Sequence, residues 1–104
     1  MRGAFLPWQR VLVSGPSMVP TLRDGDTVIV RHRARITPGV IVLATYRSMP
    51  SRYVVKRAVR EQDGGWWLGS DNQAARGDST VHGVADVHAR AVLRLRRGRP
   101  TRMR

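Results

Sequence analysis

One serine of the chain lies in a turn that could present its hydroxyl as a nucleophile. Pro16 and Pro20 restrict the backbone on either side of Ser17, and Gly15 lets another chain approach closely. A serine hydroxyl is a weak nucleophile until a base removes its proton, so a catalytic role for Ser17 requires a base elsewhere in the sequence. The alternative role for a serine in this setting is that of a turn or helix N-cap residue.

The base that the composition favours is a lysine. Lys56 is the single lysine among 19 Lys and Arg residues, and it lies in the apolar segment 53–59. Arginine stays protonated in proteins, whereas a buried lysine readily loses its proton and can act as a base. No catalytic signature surrounds the three histidines, His32, His82 and His88. Ser17 and Lys56 are therefore the candidate pair for a Ser–Lys variant of the catalytic triad.

Short β-strands joined by turns must hold this pair in place. Apolar and β-branched patterns predict strands at residues 10–13, 27–30, 40–46, 53–60, 66–68 and 88–96, the last being the final strand. Segments rich in polar and breaker residues predict loops at 47–52 and 69–83. Turn signals at intervals of roughly ten residues are typical of a small, mostly antiparallel β domain, and 104 residues suffice for one such domain.

The composition excludes several classes of protein. The chain has no cysteine, which excludes disulfides, thiolate zinc sites and cysteine nucleophiles. Its histidines lack the nearby acids or thiols of a metal site, so we expect no metal and no cofactor. It has neither an apolar run of about 18 residues nor the apolar core of a secretory signal peptide. We therefore expect a cytoplasmic protein without a transmembrane anchor.

Positive charge is concentrated late in the sequence. The formal net charge is +12, and six arginines lie between Arg94 and Arg104. We divide the chain into an N-terminal segment (1–9), a catalytic domain (10–96) and a basic tail (97–104). Because runs of like charge repel one another, we expect the tail to be solvated, partly disordered and mainly solubilising.

Five segments, in order, resemble a known superfamily. Residues 16–22 resemble the nucleophile box of the type I signal peptidases and their LexA-like relatives, and residues 53–59 resemble the lysine box. Residues 24–30 and 38–42 are similar to the strands between these boxes, while residues 70–72 and 78–83 look like degraded forms of two later boxes. The match covers about residues 11–95. It implies a Ser–Lys endopeptidase with the small β fold of the signal peptidase and LexA catalytic core.

Within this superfamily the chain is most similar to one subgroup. Its start without a long apolar run, the strand at 66–68 and the arginine-rich composition resemble the maturation proteases of nickel-type superoxide dismutase. Those proteases are thought to remove a short N-terminal extension from the enzyme precursor. The resemblance thus implies a protein precursor as the substrate, and it assigns the nickel to that substrate rather than to this chain.

The resemblance also assigns roles to individual residues. Ser17 and Lys56 would be the catalytic dyad, while Gly15 and Met18 would contribute to the oxyanion and substrate cleft. Structural support, by turns and hydrogen bonds that hold the lysine strand, would come from Asp71, Asn72 and Asp78.

Three positions depart from the family pattern. Gly15 stands where a Ser or Thr hydroxyl often assists the oxyanion hole, and Thr80 replaces an arginine that would pair with Asp78. The serine that orients the lysine in the family maps to about Arg76. The site therefore needs other groups for stabilising the oxyanion and for orienting Lys56.

Two other functions are considered. A basic nucleic-acid-binding β module would account for the charge, although the chain lacks a standard nucleic-acid motif and its aromatic residues do not alternate with arginines. A self-cleaving LexA-type switch would need an Ala-Gly bond and a DNA-binding domain, and the sequence has neither.

Overall fold

Seven β-strands and one short helix make up the part of the chain that the computed structural model describes, residues 7–75 and 77–104. Residues 1–6 of the expected N-terminal segment and Arg76 lie outside the described residues. The elements are β1 (Trp8–Leu12), β2 (Thr27–His32), β3 (Ile41–Tyr46), β4 (Met49–Gln62), β5 (Gly65–Gly69), α1 (Ser79–His82), β6 (Ala85–Arg96) and β7 (Arg99–Arg102).

All strand pairings are antiparallel, and β6 is the strand on which they converge. The main order in the sheet is β1-β2-β6-β3-β4-β5, and β6 also pairs with β5 and β7. The additional pairing of Trp66 with Ala85 joins β5 to β6, so β3, β4, β5 and β6 close into a small ring. The prediction of a small, mostly antiparallel β fold is confirmed.

The sheet separates two apolar clusters. β3 is buried along its whole length, as its uninterrupted apolar sequence predicts for a strand covered on both faces. Val13, Met18 and Leu22 fill one cluster together with residues of β2, β3 and β6. Val42, Ala44 and Tyr46 belong to the other, against Ala58 and Leu68. The segment around Ser17 is therefore anchored by the apolar side chains that flank it.

Three details differ from the sequence prediction. β4 begins at Met49 and includes most of the predicted loop 47–52, because only Arg47 and Ser48 form the turn from β3. The predicted loop 69–83 contains α1, whose first turn is capped by the side chain of Asp78.

The third difference concerns the basic tail. The strand predicted at 88–96 is not the last one, because Arg97 and Gly98 turn the chain back and β7 pairs with β6. Met103 then packs against the first apolar cluster. The tail is thus an ordered hairpin arm and not partly disordered, whereas its side chains are exposed to solvent as expected, except for the half-buried Met103.

Within residues 7–75 and 77–104, no helix has the length and apolar character needed to cross a membrane.

Candidate active site

A cleft of about 540 Å³ lies between the segment that follows β1 and the first half of β4. One wall is formed by residues 11–18, and the opposite wall by residues 52–56. Ser17 and Lys56 belong to these two walls, and Tyr46, Gly77 and His82 also line the cleft. The fold therefore brings the candidate nucleophile and the candidate base, which are far apart in sequence, to one cavity.

The serine segment is held from two directions. Backbone hydrogen bonds join Val13 to Asp26 and Gly25, at 2.8 and 2.9 Å, and the Gly15 N–H donates to Oδ1 of Asp24 at 2.8 Å. Gly15 has a φ of +84°, which favours glycine over any residue with a side chain. This geometry explains the departure at Gly15, because a Ser or Thr in that conformation would be strained.

Asn72 holds the same segment from the other side. Its N–H donates to the carbonyl of Ser17 at 2.9 Å, and its side-chain amide donates to the carbonyl of Pro16 at 3.1 Å. Asn72 therefore supports the serine segment, whereas the sequence comparison suggested that it holds the lysine strand. Ser17 itself is half-buried, with its peptide carbonyl turned to Asn72.

Lys56 lies on the buried face of β4. It pairs with Val42 of β3 and is only 6% exposed. Burial lowers the pKa of Lys56 below its ordinary value, because the charged ammonium loses hydration. The negative charge of Asp78 raises this pKa and the positive charge of Arg52 lowers it, both to a smaller extent. The fold therefore favours the neutral amine that a general base requires.

Asp71 ties the serine segment to the lysine strand. Its carboxylate accepts a hydrogen bond from the Thr21 hydroxyl at 2.6 Å and two from the guanidinium of Arg57, at 2.7 and 2.6 Å. Arg57 follows Lys56 in β4 and also donates to the carbonyl of Gly39 at 2.6 Å. Arg57 holds the pKa of Asp71 below its usual value, although burial opposes this shift.

Asp78 stands at the start of α1, close enough to Lys56 for their charges to interact. Burial raises the pKa of Asp78, but hydrogen bonds from Thr80 and Ser70, together with the charge of Lys56, lower it overall. Thr80 donates to the Asp78 carboxylate through both its N–H and its hydroxyl. Thr80 thus supplies hydrogen bonds to the carboxylate with which the arginine of the family pattern would pair.

Tyr46 forms the base of the cleft beside α1. Its hydroxyl donates to the carbonyl of Gly77 at 3.0 Å, and its ring lies 4.9 Å from that of His82, centroid to centroid. Burial raises the pKa of Tyr46 further above its ordinary value, with a smaller contribution from the charge of Asp78. The Tyr46 hydroxyl is therefore a neutral, fixed donor and not a proton acceptor.

The structure brings together most of the residues that the sequence indicated. Gly15 and Met18 line the cleft beside Ser17, although the side chain of Met18 is 2% exposed and packs in the core. Asn72 hydrogen-bonds to the wall that contains Ser17. Asp71 joins Thr21 to Arg57, which lie just beyond the two walls, and Asp78 interacts with Lys56 through its charge.

Sequence reasoning missed several cleft residues, Tyr46, Arg52, Tyr53 and His82. Arg52 lies four positions before Lys56, just outside the strand predicted at 53–60, so a longer predicted strand would have included it beside the base. Tyr46 is the last residue of the buried strand β3, where a lone tyrosine hydroxyl signals a polar end to an apolar run.

A family model described as Peptidase S24-like matches residues 10–92, which is most of the chain and includes both Ser17 and Lys56. No curated protein matches the sequence significantly.

Proposed function

The chain belongs to the Peptidase S24-like family, and we propose that it is a serine endopeptidase in which Ser17 is the nucleophile and Lys56 the general base. The observation that carries this proposal is the position of Lys56. It is a buried lysine with a lowered pKa, and it shares one cleft with the half-buried Ser17. Family membership supports peptidase chemistry in general, and the geometry supports these two residues for it.

The reaction proceeds by acyl transfer. Neutral Lys56 accepts the proton of the Ser17 hydroxyl while Oγ attacks the carbonyl carbon of the scissile peptide. The tetrahedral intermediate collapses when the C–N bond breaks, and the ammonium of Lys56 returns its proton to the leaving amine. Water then attacks the acyl-enzyme ester with Lys56 again as the base, which releases the carboxylate product and restores Ser17.

The oxyanion hole depends on few donors. Gly15 offers no side-chain hydroxyl, and its N–H already donates to Asp24. The N–H of Ser17 is thus the main donor available for the developing oxyanion. Loss of one such donor reduces kcat by roughly 10²–10³ in enzymes that rely on two. We therefore expect turnover slower than in relatives with a hydroxyl at this position.

The substrate that we propose is a protein precursor with a short N-terminal extension. A cleft with strand β4 along one wall suits an extended peptide segment. The specific candidate is the precursor of nickel-type superoxide dismutase, and it rests on the sequence resemblance alone.

The test uses co-expression with that precursor, followed by mass spectrometry of its N-terminus. Cleavage is expected with the wild-type chain and absent with Ser17→Ala. The matched control is Ser14→Ala, because Ser14 lines the same cleft but is not the proposed nucleophile. Full processing by Ser17→Ala would contradict the assignment of Ser17, whereas an uncleaved precursor with wild-type protein would exclude this substrate.

A further inference from the structure

A second cavity, larger than the cleft, lies at the turn of the β6–β7 hairpin. It encloses about 880 Å³. Five arginines from three parts of the chain line it, namely Arg23, Arg94, Arg96, Arg97 and Arg99. We refer to it as the arginine cavity. Neither Ser17 nor Lys56 lies in its walls.

The arginines of this cavity divide into two groups. Arg96 makes a two-pronged ion pair with buried Asp26, at 3.0 and 2.8 Å, and Arg94 donates to the carbonyl of Thr21 and the hydroxyl of Thr101. These two guanidinium groups are structural. The other three, Arg23, Arg97 and Arg99, are exposed and have no carboxylate partner among residues 7–75 and 77–104.

Two of the unpaired arginines occupy positions that oppose stability. Arg97 has a φ of +51° in a two-residue hairpin turn, where Asn, Asp or Gly is favoured. The other two-residue turn with this geometry begins with Asp63. Arg99 lies directly opposite Arg96, and like charges at facing positions of a sheet repel. A residue that breaks local rules without a structural gain indicates a role in binding.

The arginine cavity adjoins the cleft. Val13 and Gly15 belong to the cleft wall, and their hydrogen-bonding partners Asp24, Gly25 and Asp26 belong to the arginine cavity. Paired segments are about 5 Å apart, and an extended peptide advances about 3.3 Å per residue. A polypeptide held in the cleft therefore has only a short distance to extend before it reaches the arginine cavity.

We infer that the arginine cavity binds an acidic polypeptide segment, a stretch with several Asp or Glu side chains. That this segment belongs to the peptidase substrate rests on the proposed function; binding itself does not. Guanidinium groups match carboxylates in shape and charge. The wall also contains the exposed carboxylate of Asp24. Peptide N–H groups can donate to Asp24, whereas a phosphodiester backbone has no donor for this carboxylate.

The lining of the arginine cavity also bears on whether a peptide or a nucleic acid fits it better. No aromatic side chain lines the arginine cavity within the described part of the chain. Single-stranded nucleic acids usually gain much of their affinity from base stacking on aromatic rings. The lining thus favours a peptide, and the experiment below also measures binding of nucleic acid.

The experiment measures fluorescence anisotropy of a labelled decaglutamate peptide with full-length protein carrying Ser17→Ala, which excludes cleavage. The cavity variant is Arg97→Asn with Arg99→Gln. Because Asn suits the turn and Gln removes a facing charge, we expect a Tm equal to or above that of the parent. The matched control is Arg10→Gln with Arg35→Gln, which removes the same charge from exposed positions outside the cavity.

We expect decaglutamate to bind, the cavity variant to bind it about fivefold to tenfold more weakly, and the control variant to stay within about twofold of the parent. A Gly-Ser peptide of the same length should not bind. Equal weakening in both variants would overturn the inference in favour of bulk charge. Selective weakening of a labelled DNA duplex, with decaglutamate unaffected, would overturn it in favour of nucleic acid.

Failure of this inference and failure of the proposed function are distinguishable. Absence of decaglutamate binding with an intact cleavage activity would overturn the inference alone. Cavity-dependent binding with no cleavage of any precursor would leave the inference in place and count against the peptidase substrate proposed above.

Discussion

Lys56 differs from the chain's arginines in its surroundings as much as in its chemistry. Alternation along β4 turns it to the same face as Val54 and Ala58, so its ammonium must leave water when the sheet forms. The lowered pKa of Lys56 reports that loss of hydration. The same burial that makes the amine a better base therefore makes the folded state less stable while Lys56 is charged.

Replacement of Lys56 by Met tests both consequences. We expect Lys56→Met to abolish cleavage and to be at least as stable as wild type at neutral pH, because a buried charge is removed and the side chain stays unbranched. Between the lowered folded pKa and the ordinary value of 10.5, the unfolded chain binds more protons. The free energy of unfolding of the wild type should therefore rise with pH in this window. This contribution is absent in Lys56→Met.

Urea unfolding of both proteins from pH 7 to pH 10.5 measures this difference. Lys56→Arg is the companion variant, because it keeps the charge and cannot act as a base. Cleavage by either variant would contradict the assigned base, and a less stable Lys56→Met at neutral pH would contradict the burial argument.

Two neighbours should shift the pH dependence of catalysis in opposite directions. Asp78 raises the pKa of Lys56 and Arg52 lowers it. For Asp78→Asn, which keeps an acceptor at the N-cap, the rising limb of kcat/KM against pH should move to lower pH. For Arg52→Gln it should move to higher pH. If the rising limbs of the two variants move in the same direction, or if neither moves, Lys56 does not control the rate.

At the scale of elements, Asp71 joins three segments through one carboxylate. It is 15% exposed and binds the serine segment through Thr21 and β4 through Arg57. We expect Asp71→Asn to lower the free energy of unfolding by about 2–3 kcal/mol, because Arg57 then loses its charged partner. Asp86→Asn, in the exposed pair with Arg47, should change it by less than about 1 kcal/mol.

Acid unfolding provides the second measurement on Asp71. Because Arg57 lowers the folded pKa of Asp71, the stability it contributes is present above the unfolded pKa and is lost as pH falls through the folded one. Asp71→Asn should therefore flatten the loss of stability below about pH 4. An equal acid dependence of stability in wild type and Asp71→Asn would contradict the ion pair of Asp71 with Arg57 as a source of stability.

The elements that the sequence predicted well are those with strong local patterns. Residues 27–30 and 40–46 are β-branched and apolar, and both form strands. The start of β4 was missed because Pro50 and Ser51 are typical of a turn. β7 was missed because its arginines resemble a solvated run, although pairing with β6 holds them. These outcomes depend on tertiary contacts, which single-sequence patterns do not contain.

The residues of the candidate site also divide into those that local sequence indicated and those that depend on tertiary contacts. Residue type made Ser17 and Lys56 candidates, and the resemblance of residues 16–22 and 53–59 to the superfamily boxes selected them. The hydrogen bonds from Asn72 to Pro16 and Ser17 span more than fifty residues and depend on how loops meet. The contribution of Arg52 to the pKa of Lys56 depends on the direction in which its side chain leaves β4. That direction can be predicted only when the start of the strand is known.

At the scale of the whole molecule, the basic arm is part of the folded unit. Deletion of residues 98–104 removes four cross-strand pairs and the packing of Met103. We expect a loss of about 2 kcal/mol, or a fall in Tm of roughly 10 °C. The matched control replaces Arg97, Arg99, Arg102 and Arg104 by Gln at full length and should retain the Tm within a few degrees. Thermal unfolding that is unchanged by the deletion would mean that the arm is only a soluble extension.

The convergence of strands on β6 has a consequence for when this protein acquires activity. Thr27 of β2 finds its partner in β6 only when Leu95 has been made, and Val42 of β3 finds its partner in β6 only when Arg90 has been made. During translation, both Ser17 and Lys56 emerge while the strand that joins their supports is still inside the ribosome. Such long-range pairing folds slowly compared with local hairpins. A nascent chain therefore carries both proposed catalytic side chains without a finished cleft, and the proposed cleavage activity begins only when the whole domain has folded.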